Sequence, residues 1–182
     1  MSVMLSTAAQ TRHLQSLKRL STIAVMNIPT FPQADSAADQ ALQLDQQTCF
    51  ALYSTTLALN KAYRQLLAPL KLTYPQYLVM LVLWQQDGLT VSAIGARLYL
   101  DSATLTPLLK RLAQQGYLIR QRAEQDERQV QVYLTDAGQA LRHVALDIPP
   151  QVVKRSQLSL EQLQQLKAQL EQLRDGLLQP VP

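Results

Sequence analysis

Two groups of side chains in this 182-residue chain could do chemistry. The first is a thiol. Cys49 is the single cysteine, so no internal disulfide can form. It falls in the second turn of a helix expected to open at Leu44-Asp45, where the positive end of the helix dipole favours an anion. A lone cysteine is nonetheless more often a small buried apolar group. The second group is a helix face. Leu105, Leu108, Leu109 and Leu112 repeat at helical spacing and mark a buried side. That turns Ala103, Thr106, Lys110 and Gln114 outward, with Arg111 on the flank. Small, polar and cationic side chains on one exposed face suit the major groove of DNA, where small residues allow close approach and polar ones meet base edges.

Other chemistries find no residues. His13 and His143 stand far apart and away from Cys49, so the sequence offers no metal-ligand cluster. No Gly-rich phosphate loop and no Ser/His/Asp arrangement can be read, and no cofactor is expected. No apolar run is long enough to span a bilayer, and a cytoplasmic location is expected. The net charge of +4 agrees with a nucleic-acid partner without demanding one. The length suffices for one domain with a real core.

The candidate reading face lies inside Leu89–Thr135, which predicts its own scaffold. Thr90 caps a short helix with Val91, Ile94 and Leu98 on one side. Tyr99-Leu100-Asp101 makes a turn. A second helix carries Pro107 with a slight kink near its start and stops at Gly116. Tyr117–Arg122 and Gln129–Leu134 then alternate as a two-stranded ribbon. Its charged tip, 123–128, has Arg120 and Arg122 behind it and Arg128 at its base, and can reach phosphates or a minor groove.

The flanks read as helices. One runs from Leu44-Asp45 to about Ala68, with Asp45 as N-cap. Leu52, Leu59, Ala62, Leu66 and Leu70 form its apolar face, widened by Phe50, Tyr53 and Leu57, and a second subunit is its natural cover. Gln76–Gln86 follows, with Tyr77, Met80, Leu81 and Trp84 inward. Thr135 caps Asp136–Asp147, whose inward residues are expected to be Ala140, Leu141 and Val144, and Ile148-Pro149-Pro150 breaks it. Ser159 and Gln162 form a capping box before a coiled-coil-like seam of Leu160, Leu163, Leu166, Leu170, Leu173 and Leu177. Helices 45–68, 136–147 and 159–178 together form a dimerisation module within a domain spanning 44–178. Residues 1–43 read as a disordered extension, or as sequence upstream of a start at Met26. No stable structure is expected up to Gln40.

The run LTVSAIGARLYLDSATLTPLLKRL, followed by DERQVQVYLTDAG, resembles the winged helix-turn-helix of the MarR family of transcriptional regulators. It is similar to the branch of organic-hydroperoxide-resistance regulators, OhrR. The resemblance spans about Leu44 to Leu178. It implies a mainly α fold with a small β-hairpin wing, and a homodimeric repressor on a pseudo-palindromic operator with half-sites about one helical turn apart. The DNA-side residues it implies are Asp101, Ser102, Thr104, Thr106, Lys110, Arg111 and Arg128, the last braced by Asp126.

The stretch LDQQTCFALYSTTLALNKAYRQLLAPLKLTYPQYL resembles the family's sensing region. The resemblance makes Cys49 the peroxide sensor, held as thiolate by Tyr63 and Tyr74, with Tyr53 lining the same pocket. Tyr63 follows Cys49 by fourteen residues, about 21 Å along one straight helix. Contact between them therefore needs a second chain. Two-cysteine members carry a resolving cysteine near Ile148–Val153. This chain has Pro149, Pro150 and Gln151 there and resembles the one-cysteine type. A sulfenic acid at Cys49 would then meet a small external thiol or over-oxidise. Apolar neighbours such as Phe50 and Leu57 favour organic hydroperoxides over hydrogen peroxide as inducer. Three other readings stay open. They are a repressor released by a small phenolic ligand with Cys49 incidental, a thiol peroxidase, and a winged helix used only for protein contacts.

Overall fold

Val79, Met80 and Leu83 of one helix meet Ile94 of the next and Leu105, Leu109 and Leu112 of a third in a shared apolar core. Each of these side chains is almost wholly withdrawn from solvent, and such burial is the main favourable term in folding. The structure, a computed structural model, describes residues 37–123 and 126–180. The chain divides into two units, Met1–Phe50 and Ala51–Pro182.

In the first unit, residues 1–36, with Arg12, Lys18, Arg19 and Met26, lie outside the described residues. A single helical turn, α1 (Ala37–Ala41), stands where no stable structure was expected. Asp45 does not cap a helix. It lies inside a 3-10 turn, Leu44–Gln46, because the Gln46 and Gln47 amides bond three residues back, to Gln43 and Leu44. The extended backbone of Gln47 ends that turn, and α2 (Thr48–Leu66) begins after it.

The second unit holds the rest. Helix α3 (Tyr74–Gln85) starts two residues before the expected Gln76. The Oε1 of buried Gln76 accepts from the Thr73 backbone N–H at 2.8 Å and from the Thr73 hydroxyl at 3.0 Å. Pro75 sits in the first turn, where its missing donor costs nothing. Gly88, at φ +72, then reverses the chain. Strand β1 (Leu89–Thr90) leads into α4 (Val91–Leu98) and α5 (Ser102–Gln114). Strands β2 (Leu118–Ala123) and β3 (Asp126–Leu134) follow.

The ribbon is therefore a three-stranded antiparallel sheet of order β1-β3-β2, not two strands. Leu89 pairs with Val132 and Leu118 with Leu134. The tip is also shorter than expected: the backbone of 126–128 belongs to β3, and a register shift between Arg122 and Ala123 takes up the slack.

Helix α6 (Asp136–Ala145) is capped by Thr135 as expected, but its buried side differs. Gly138 and Ala145 face inward with half-buried Leu141, while Ala140 and Val144 are exposed. The cause is a backbone crossing. A Cβ on Gly138 would lie 2.0 Å from the Tyr117 carbonyl oxygen, and the Trp84 indole N–H donates to the Gly138 carbonyl at 2.9 Å. Helix α6 ends at Ala145, so the expected break is present, but Pro149 and Pro150 lie beyond it. They occupy the first turn of a new helix, α7 (Ile148–Ser156). Ser159 and Gln162 form the expected capping box, at 3.1 and 2.8 Å, and open α8 (Leu160–Leu177). No residue of α8 is buried, and its leucine seam lies open, with Leu166, Leu170 and Leu173 each about two-fifths exposed.

Candidate functional site

The reading face is set by two capped helices and the turn between them. Thr90 Oγ1 accepts from the Ala93 N–H at 3.2 Å and starts α4. Tyr99 ends it in the left-handed region at φ 55, and the Leu100 N–H returns to the Gly95 carbonyl at 3.0 Å. The backbones pass so closely that a Cβ on Gly95 would stand 2.7 Å from the Leu100 oxygen. Asp101 then caps α5, its Oδ1 accepting from the Thr104 N–H at 2.6 Å. The Thr104 backbone N–H, seconded by the Thr104 hydroxyl, holds the Asp101 carboxyl below the usual carboxylate range.

Leu105, Leu109 and Leu112 pull one side of α5 into the core. This leaves Ala103, Thr106, Lys110, Gln114 and Arg111 exposed, as the leucine spacing predicts, and Ser102 and Thr104, which the family resemblance implied, are exposed as well. Helix α5 runs through exposed Pro107 as one element. Thr106 Oγ1 donates to the Ser102 carbonyl at 2.6 Å, in an exposed position.

Ser102 and Thr106 also border an open groove of about 310 Å³, which reaches across to the wing. Thr90 lines it from β1 and Ser92 from α4, and Arg120 and Gln129 from β2 and β3. Hydroxyls, an amide and a guanidinium around one concave surface are donors for phosphate oxygens. Ser92 and Gln129 were not singled out from sequence. Thr90 was read only as a cap, and the pairing of β1 with β3 is what brings these residues to one place. Asp126 and Arg128 are in β3 by backbone, but their side chains lie outside the described residues.

The expected sensor residues fall in both units. Cys49 is exposed in the first turn of α2, one turn earlier than its expected place. Tyr53 is also largely exposed. Tyr63 and Tyr74 meet, with ring centroids 4.2 Å apart and planes tilted by 31°. The cluster continues through Tyr77, 6.0 Å from Tyr63, to Trp84, 6.2 Å from Tyr77. Burial first, then the neighbouring Tyr74 and Tyr77 phenols, pushes the Tyr63 phenol up to about 12. Tyr74 is raised by burial, and Tyr77 by burial and then by Tyr74. All three keep their protons at neutral pH, and a protonated phenol is able to donate a hydrogen bond. The sequence reading placed Tyr77 in the core alone. Its spacing of three from Tyr74 would have joined it to the phenol pair once Thr73 was seen to start the helix.

Among the described residues no group of His, Cys, Asp and Glu could hold a metal ion, and no helix is long and apolar enough to cross a membrane.

Residues 61–143 match the family model of the transcriptional regulator SarA/Rot. Two capped helices joined by a tight turn, followed by a small antiparallel wing, make this a winged helix-turn-helix regulator. The chain is 47% identical over 136 residues to the organic hydroperoxide resistance transcriptional regulator of Bacillus subtilis (strain 168), a match covering 75% of this chain and 92% of the relative. It belongs to the MarR family of transcriptional regulators, in the OhrR branch, and with its single cysteine to the one-cysteine type. Two solved structures of AbfR, a Staphylococcus epidermidis protein, are similar. The reduced form bound to DNA has a TM-score of 0.66 and 34% identity over 78% of this chain and 99% of that one. The overoxidized form bound to DNA has a TM-score of 0.66 and 33% identity over the same shares.

Proposed function

We propose that the protein is a homodimeric, cytoplasmic repressor that binds a pseudo-palindromic operator and leaves it when an organic hydroperoxide oxidises Cys49. The observation that carries the reading is the exposed α5 face, bordered by the groove shared with Arg120 of the wing, in a chain of the OhrR branch. In this reading Ser102, Thr104 and Thr106 approach bases or phosphates. Lys110 and Arg111 hold the backbone or read guanine, and Arg128, braced by Asp126, acts from the wing. Asp101 contributes as the cap that aims α5. The 44–178 segment is the working domain, and the open Leu163–Leu173 seam of α8, with α2, meets a second copy.

Sensing follows from the thiol and the phenols. Cys49 is accessible to an oxidant. Tyr63 and Tyr74, donors at neutral pH, would stabilise a thiolate presented by the partner chain, with Tyr53 beside it. The Cys49 sulfur attacks the terminal peroxide oxygen. The S–O bond forms, the O–O bond breaks, and the departing alkoxide takes a proton and leaves as an alcohol. The resulting sulfenic acid condenses with a small thiol to a mixed disulfide, releasing water, or takes up further peroxide.

The test is a gel shift on the DNA upstream of the protein's own reading frame, with and without cumene hydroperoxide, followed by the mass of the Cys49 adduct. Release of the wild type but not of Cys49→Ser supports the reading, and release of both sinks the sensor. A second reading, release by a small phenolic ligand, is favoured by one observation: an apolar cleft of about 210 Å³ between α3 and α6, lined by Tyr77, Leu81 and Trp84 with Arg142 beside it. Under that reading an aromatic acid releases Cys49→Ser as readily as the wild type.

A further inference from the structure

Tyr99 occupies a place that its chemistry does not explain. Its backbone is left-handed, at φ 55 and ψ 36, a conformation that side chains with a Cβ seldom adopt. Its ring gains no core burial in return, since the residue is 61% exposed. It does have a partner. The guanidinium carbon of Arg174, in the last turn of α8, lies 4.7 Å from the Tyr99 ring centroid, well within cation–π range. Arg174 is itself held in orientation. Its Nε and Nη2 both donate to Asp175 Oδ1, at 2.9 and 2.8 Å. Glu171, one turn earlier, pairs with Lys167 at 2.7 Å and also attracts the guanidinium, though less than Asp175 does.

The two ends of this contact belong to different parts of the machinery. Tyr99 is the pivot of the turn that sets α5 against α4. Arg174 sits on the helix whose open leucine seam the proposed dimer covers. From this juxtaposition we infer that Arg174 is a positioning residue for DNA reading: stacked on Tyr99, it fastens the helix-turn-helix turn to the C-terminal helix and carries any shift of that helix to α5. The inference rests on the DNA-binding reading above.

The experiment uses the full chain, with Arg174→Gln, Arg174→Lys, Tyr99→Leu, Tyr99→Phe and the double variant Arg174→Gln/Tyr99→Leu. Affinity for the upstream DNA is measured across a salt series, and amide hydrogen exchange is followed at Tyr99 and Leu100. Arg174→Gln and Tyr99→Leu should each weaken binding about two- to fivefold, the size of one exposed cation–π contact. The double variant should be no weaker than either single one. Lys at 174 and Phe at 99 should restore most of the affinity, and the salt slope should not change. Exchange at Tyr99 and Leu100 should speed up in Arg174→Gln. Additive losses, a salt slope lowered by about one, which marks a direct phosphate contact, or unaltered affinity and exchange would each overturn the inference. A wild type that binds no DNA overturns the functional reading instead, and the exchange rates then decide the Tyr99–Arg174 contact by themselves.

Discussion

The Tyr63 and Tyr74 rings lie 4.2 Å apart, one from α2 and one from the first turn of α3. Burial disfavours a phenolate at both, and at Tyr63 the neighbouring Tyr74 and Tyr77 phenols add to it. The Tyr63 phenol, raised to about 12 in the fold, titrates near 10 in the unfolded chain. The unfolded state therefore loses its proton first, and stability that is complete below pH 10 falls as pH rises toward 12. Tyr63→Phe should flatten that alkaline decline in a thermal-melt series. An unchanged slope would show that Tyr63 is not the group responsible.

Gly138 and Gly116 test two different kinds of glycine requirement. A Cβ at 138 meets the Tyr117 carbonyl at 2.0 Å, while at 116 nothing lies within 4 Å and only the φ of +77 is at issue. Gly138→Ala should cost about 3 kcal/mol or more, since a backbone must move. Gly116→Ala should cost about 1 kcal/mol, the price of a strained left-handed residue. Urea denaturation should rank them in that order.

Asp101 caps α5 through a carboxylate held below its usual range. The stability it contributes is present above the unfolded carboxylate range and is lost as pH falls through the lowered folded value. Asp101→Asn keeps the cap but removes the titration. Its melting temperature should fall less steeply on the acid limb than that of the wild type, and Asp101→Ala should be less stable at neutral pH.

Lys110 is exposed on the same side of α5 as Thr106. Lys110→Ala should weaken binding to every DNA sequence alike and reduce the slope of log affinity against log salt by about one. A changed base preference at constant slope would instead make Lys110 a reader of bases.

Leu166 and Leu170 stand open on α8, one turn apart. Leu166→Glu should dissociate the dimer in sedimentation and abolish tight operator binding. It should leave the α3–α5 core intact by circular dichroism, because no residue of α8 is buried in the single chain. A monomeric wild type would remove the basis for this expectation.

What could be foreseen followed how local each determinant is. The helix-turn-helix was readable because Thr90, Asp101 and Gly116 act on their nearest neighbours and the α5 leucines repeat within one element. Strand β1 was not, since two residues cannot display alternation and its partner lies more than forty positions away. Pro149 and Pro150 carry the same residue signal whether they end one helix or begin another. The inward side of α6 moved from Ala140 and Val144 to Gly138 and Ala145 because a distant carbonyl, that of Tyr117, requires a bare Cα. At the site, the outward side chains of α5 were foreseen, and the groove that joins them to Arg120 required the sheet.

Pro107 has a consequence for recognition itself. With no amide hydrogen, it cannot complete the helical bond to the Ala103 oxygen four residues back, and both residues face solvent. The outer surface of α5 thus bears an acceptor that the helix leaves unserved, and in the free protein water must supply its proton. An operator that expelled that water without offering a donor would be penalised. The complex should keep a hydrated spot beside Ala103, or place there a base that presents an amino group.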